Sequence, residues 1–155
     1  MRSWKGMKIV EVQVITNERD YMKAMQIRQT VFCDEQGVAV EVEIDAYDGL
    51  HGPCQHVLIS RNGQAAGTGR LRVVDGFGKL ERICVLAPLR KYGVGRAVME
   101  ALERVAAERG LTKLKLHGQT QAEGFYRKLG YKTSSDVFME EGIPHVVMTK
   151  ELARQ

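Results

Sequence analysis

The 155-residue chain has no apolar run long enough to cross a membrane, so no transmembrane helix is expected. Its N-terminus, MRSWKGMKIV, is basic but lacks the apolar stretch and small-residue cleavage site of a secretory signal. Cysteine is scarce: Cys33, Cys54 and Cys84 are an odd number, without C-x-x-C or Cys/His metal spacing. A disulfide framework and a metal site of that kind are therefore not expected, and a reducing, cytoplasmic setting is. Aromatics make up only 6% of the residues, and the net charge of +4 is spread along the chain. Without a basic stripe interleaved with aromatics, nucleic acid is not an expected partner. Three prolines, and no repeat, low-complexity tract or Pro/Ser-rich linker, leave a single domain over 1–155, long enough to bury its own core.

Within that domain, the spacing of apolar residues marks a succession of elements. MKIVEVQVI (7–15) alternates as a strand does. NERDYMKAMQIRQTVF sets Tyr21, Met25, Arg28 and Phe32 at helical spacing, with Asn17 or Asp20 as N-cap. The acidic stretch 33–53 is irregular and too long for a turn. QHVLISR (55–61), Asn62-Gly63 and QAAGTGRLRVV (64–74) read as a hairpin, and Asp75-Gly76 as a second turn into KLERICVLA (79–87). A helix is expected over 94–109, with Val94, Val98, Ala101, Leu102 and Val105 on one face and Gly110 closing it. A strand (112–118), a helix (121–130), a strand over 131–139 and a final turn and strand over 140–152 complete the chain. A hairpin meander feeding a βαβ unit implies an α/β (α+β) fold, a mixed sheet with helices on its faces.

The junction RKYGVGRAV (90–98) joins a strand to a helix and combines Arg90, Lys91 and Arg96 with Gly93 and Gly95. The first turn of a helix has N–H groups without intrahelical partners and a partial positive charge, and glycines let a ligand approach that backbone. Such a junction suits a phosphate or pyrophosphate. A P-loop is excluded because Arg96-Ala97 follows Gly95 where Lys-Ser/Thr is needed. A dinucleotide fingerprint fits poorly, because Val98 stands at its third glycine position. What remains is R-x-x-G-x-G after a strand and Pro88.

ICVLAPLRKYGVGRAVMEAL resembles the acetyl-CoA-binding motif of the GCN5-related N-acetyltransferase (GNAT) family, and AEGFYRKLGY resembles that family's next helix and strand. RQTVFCDEQGV, EIDAYDG and EEGIPHVVM are similar to its small bacterial ElaA/YjcF-type branch. The resemblance implies a mixed, mostly antiparallel central sheet of roughly six to seven strands with about four helices on its faces. It implies acetyl-CoA as co-substrate, no metal, and direct acetyl transfer to an amine of a small molecule or peptide. Backbone N–H groups of Val94 to Ala97 would hold the pyrophosphate beside Gly93, Gly95, Arg90, Lys91 and Arg96. The backbone of Ile83, Cys84 and Val85 would pair with the pantetheine arm. Tyr126 matches the tyrosine that protonates the leaving thiolate, and Gln119 stands where the family usually has Asn. The acceptor amine is not identified, and a homodimer is compatible with the family.

For the general base, Glu81 is expected on the face of Ile83 and Val85, where apolar neighbours would raise its pKa. It could equally pair with Arg70 or Arg72, and His117 and His145 are alternatives. Cys84 has no sequence-near base and is set aside as a nucleophile. Glu35, Glu41, Glu43, Asp45 and Asp48 would favour a cationic acceptor unless they form a solvated loop. Two other readings are an acyl-homoserine-lactone-synthase-like enzyme, suggested by Arg28, Phe32, Glu43, Asp45 and Asp48, and a non-catalytic acetyl-CoA-binding module.

Overall fold

The computed structural model describes residues 10–153, so the start of the strand expected over 7–15 lies outside the described residues. β1 (Val10–Val14), β2 (Gln55–Arg61), β3 (Gln64–Val74) and β4 (Phe77–Val85) form an antiparallel meander. Both tight turns carry positive φ at their two central residues, Asn62 (51°) with Gly63 (80°) and Asp75 (50°) with Gly76 (80°). That backbone matches the right-handed twist of paired strands, which is why Asn-Gly and Asp-Gly mark hairpins.

β5 (Lys113–Gln119) joins β4 in parallel, and the sheet continues through β8 (Ile143–Glu151), flanked by β6 (Lys132–Thr133) and β7 (Phe138–Glu140). The described sheet thus has eight strands, and β4–β5 is its parallel pair. The count exceeds expectation because 131–139 splits in two. Ser134 N–H donates to the Val147 carbonyl, but Val147 N–H donates to the Ser135 hydroxyl, so a side chain replaces backbone in the ladder there.

One face is covered by α3 (Val94–Glu108), whose Val98, Met99, Leu102 and Ala106 are fully buried against Val57, Ile59, Leu71 and Leu116. Gly67 and Gly69 on β3 allow that contact: a Cβ on either would lie 2.8 Å from a valine methyl of α3. Truncating a buried leucine such as Leu102 to alanine costs about 2–5 kcal/mol. α4 (Glu123–Lys128) adds Tyr126 to the same core.

α1 (Glu18–Arg28) covers the opposite face, where its Ala24 and Ile27 cluster with Val31 just beyond it and Leu58 of β2. Asn17 caps it by accepting from Asp20 N–H at 2.8 Å. The helix expected to run on to Phe32 instead widens into a π-helix over Gln29–Glu35, and α2 (Val40–Glu43) forms inside the stretch expected to be irregular.

β4 is not regular. Thr68 pairs with Cys84 but Arg70 pairs with Glu81, so one extra residue is accommodated on β4, where Arg82 has φ 57°. A bulge of this kind breaks the two-residue alternation. Glu81 and Cys84 therefore both face α1, while Ile83 and Val85 pack on the α3 side. This corrects the expectation that Glu81 shares the face of Ile83 and Val85.

Candidate active site

Beyond the bulge, β4 and β5 part. Their parallel register runs only from Gly78–Leu114 to Leu80–Leu116, yet β4 continues to Val85 and β5 to Gln119. The gap therefore has backbone edges that do not pair with each other, a place where an extended ligand can add hydrogen bonds. Ile83, Cys84 and Val85 line one limb; His117, Gly118 and Gln119 line the other.

At the open end of the gap, α3 begins. Gly93 is its N-cap in the left-handed region (φ 80°), with no side-chain cap. Ala97 N–H donates to the Gly93 carbonyl at 3.0 Å, so the intrahelical ladder starts there. The N–H groups of Val94, Gly95 and Arg96 are the first-turn donors left over; Ala97, expected among them, is not. A Cβ on Gly95 would meet Phe125 at 3.3 Å and Val85 at 3.7 Å, so this backbone stands against both β4 and α4. Arg90 donates to the Val85 carbonyl (3.0 Å) and pairs with Glu35 (2.6 Å), while Arg96 pairs with Glu100 (2.8 Å). Lys91, also at positive φ (71°), is exposed. A cavity of about 600 Å³ opens beside the Glu35 end, between Ile27 and Thr30 of the first helical segment and Leu86 and Pro88.

Tyr126 reaches β5 from the α3 face. Its ring lies 3.1 Å from where a Cβ on Gly118 would be, and Phe125 and Tyr131 meet it edge-on at 5.1 and 6.2 Å. Burial, with a smaller contribution from Cys84, pushes its phenol well above the usual tyrosine range. The same burial pushes the Cys84 thiol far up, which suits a packed thiol and not a nucleophile. Gln119 donates to Gln36 at 2.9 Å and accepts from Gln121 at 2.6 Å, so it ties the segment after the π-helix to the gap.

Glu81 does not sit among apolar neighbours. Arg70 (3.0 Å), Arg72 (3.1 Å) and Lys79 (3.1 Å) surround it. Burial would raise its pKa, but Arg72, Arg70 and Lys79 outweigh burial and hold it at about 2. A carboxylate so strongly stabilised is a poor proton acceptor, contrary to the expected raised pKa. In the acidic stretch Glu43, Asp45 and Asp48 are likewise held by arginines, whereas Glu41 is exposed. Arg28 binds Glu43 (2.9 Å) and Asp48 (2.7 Å); Arg70 binds Asp45 (2.9 Å) and Asp48 (2.8 Å); Arg82 binds Glu43 (3.0 Å). These carboxylates fasten the segment after α1 to β3 and β4.

A different cluster lies on the α1 face of the β5 limb. His117 Nδ1 is 2.9 Å from Glu140, and His145 Nε2 is 3.7 Å from the same carboxylate. The Phe138 ring stacks on His145 and meets His117 edge-on, at 6.1 and 5.2 Å. Glu140 was missed by sequence reasoning. The available signal was Glu141-Gly142, whose positive φ values of 50° and 74° make a two-residue turn that sets Glu140 opposite Ile143.

Residues 25–152 match the family model described as an acetyltransferase (GNAT) domain. The chain belongs to the GNAT acetyltransferase family. YyaT of Bacillus subtilis strain 168 is 52% identical over 145 residues, covering 94% of this chain and 98% of that protein. YjcF of the same organism, described as an uncharacterized N-acetyltransferase, is 42% identical, covering 89% of this chain and 97% of that protein. The crystal structure of Escherichia coli ElaA superposes with a TM-score of 0.80 at 26% identity, covering 92% of this chain and 100% of that one. The ElaA/YjcF-type resemblance is thereby established. The mixed, mostly antiparallel GNAT sheet with helices on both faces is the one described above. Among the described residues no helix is long and apolar enough to cross a membrane.

Proposed function

We propose that this GNAT domain transfers an acetyl group directly from acetyl-CoA to the nitrogen of an amine on a small molecule or peptide. The observation that carries this reading is the parting of β4 and β5 beside the uncapped N-terminus of α3. The gap accepts an extended pantetheine arm along Ile83, Cys84 and Val85, and the free N–H groups of Val94, Gly95 and Arg96 meet the pyrophosphate. Lys91 adds charge there. Arg90 and Arg96 do so by exchanging their carboxylate partners for phosphate oxygens. Gln119 lies at the end of the other limb, within reach of the arm.

In this reading the thiolate leaves next to Tyr126. A buried phenol stays protonated and can donate to developing negative charge. Desolvation raises the basicity of a thiolate formed in the same gap, as it does for Cys84, so the two groups stay matched. Glu81 takes no part in proton transfer; it is an anchor for Arg70 and Arg72. Ion pairs also occupy Arg28, Glu43, Asp45 and Asp48, four of the five residues, with Phe32, on which the homoserine-lactone reading rested. The test is incubation with acetyl-CoA and a panel of alkylamines, diamines, peptide α-amines and lysine side-chain amines, following thiol release. Coenzyme A should raise the melting temperature, and at least one amine should release thiol. A coenzyme A shift with no acceptor turned over would favour a binding module instead.

A further inference from the structure

We propose that His117, held by Glu140, is the general base that takes the proton from the acceptor amine. This rests on the acyl-transfer reading and names a residue of that same site.

Placement comes first. His117 is the first β5 residue past Leu116, where pairing with β4 ends, so it stands on the edge of the gap. It is next to Gly118, on whose backbone Tyr126 rests from the α3 side. Leu116 and Gly118 face α3, so His117 faces α1 by strand alternation. The acid and the base thus approach the β5 limb from opposite faces, with the thioester carbonyl between them. That is the geometry direct transfer needs, because nitrogen attacks one side while sulfur departs on another.

The ring's orientation follows from its partners. A carboxylate accepts only, so the 2.9 Å contact with Glu140 requires the proton on Nδ1 and leaves the lone pair on Nε2. Among the described residues no hydrogen bond to Nε2 is found, and the side chain is 26% exposed. The His117 bond, with the nearby His145 and Lys79, holds the Glu140 carboxyl below its usual range, so it remains an anion that steadies the ring and its protonated form. Among the described residues, the charged and titratable groups that act on Glu140 are His117 on β5, His145 on β8 and Lys79 on β4. Glu43, Asp45, Asp48 and Glu81 are all held by arginines, whereas Glu140 has only histidines at ion-pair distance among the described residues.

The step balances. Nε2 takes one proton from the ammonium, and the freed lone pair forms the C–N bond to the thioester carbon. The adduct nitrogen loses its second proton, the C–S bond breaks, and sulfur takes a proton from Tyr126. The second proton of nitrogen leaves to water, the phenolate regains a proton from water on its own side, and the imidazolium releases the first to water, so one proton is released in all.

The test compares His117→Asn, His117→Gln, Glu140→Gln and the unaltered protein, using the fastest acceptor of the amine panel. Asn retains a donor at the Nδ1 position for Glu140 and lacks Nε2, so it separates positioning from proton transfer. Both His117 variants should keep the coenzyme A melting shift and lose about 10²-fold or more in kcat/KM. The deficit should shrink as pH rises, because more of the amine is already neutral. Glu140→Gln should lower kcat more than it changes KM and should alter the pH profile. Independently of turnover, diethyl pyrocarbonate should label His117 as well as the exposed His51 in the unaltered protein, read by mass spectrometry. Variants of His117 within twofold of the unaltered enzyme across pH, or labelling of His51 without His117, overturn the assignment. Absence of thiol release by the unaltered protein would overturn the acyl-transfer reading itself.

Discussion

Arg28 and Asp48 meet as a two-point ion pair, Nη1 to Oδ1 at 2.7 Å and Nη2 to Oδ2 at 3.0 Å, with both side chains almost wholly buried. Asp48 also binds Arg70, so one carboxylate joins α1, the acidic segment and β3. Removing one partner of a buried pair leaves the other charge desolvated, at a cost of about 3–5 kcal/mol. Asp48→Ala should therefore lower unfolding stability by that amount in urea titration. Arg96→Ala, which breaks an exposed pair with Glu100, should change it by less than about 1 kcal/mol. Equal effects of the two changes would show that burial does not govern these pairs.

Acid should loosen the same network. The folded-state pKa of Glu81, about 2, lies below the ordinary carboxylate value of 4.5, so its stabilisation is present above the ordinary value and lost as pH falls toward 2. At about 1.4 kcal/mol per pKa unit, this one group accounts for roughly 3 kcal/mol across that window. Asp48 is depressed further by Arg28 and Arg70, against the pull of burial, and acts in the same direction. Glu43, raised by burial, opposes them. Chemical denaturation between pH 5 and pH 2 should show a steep net loss, and Glu81→Gln should flatten it.

Coenzyme A binding should depend on the start of α3. Gly95→Asp would place a side chain 3.3 Å from Phe125 and a negative charge among the first-turn N–H groups. Gly93→Asp adds charge where φ is 80°, in a conformation costly for a side chain. The double variant should fold and should lose the coenzyme A melting shift. A preserved shift would place the pyrophosphate elsewhere.

Tyr126→Phe removes one oxygen and keeps the ring contacts with Phe125, Tyr131 and Gly118. Turnover should fall about 10²-fold with little change in coenzyme A affinity. Unchanged turnover would leave the tyrosine a packing residue.

Much of the fold was legible because hairpins and amphipathic helices are local. Asn62-Gly63 and Asp75-Gly76 need positive φ, and Val98, Leu102 and Val105 recur at helical spacing, so both signals can be read without knowing what packs against them. The donor loop was legible for the same reason, since a strand, two glycines and a helix start are contiguous.

The sequence by itself determined the GNAT assignment and the order of nearly every element, because those depend on neighbours in the chain. Tertiary structure decided the rest. One inserted residue at Arg82 turned Glu81 away from Ile83 and Val85 and into a cage of cations. The acidic segment became an anchor because Arg28, Arg70 and Arg82 converge on it from α1, β3 and β4. Glu140 gained His117 as a partner only because β7 and β5 both flank β8. The charge state of a carboxylate is set by what surrounds it in space, and residues distant in sequence supply those surroundings.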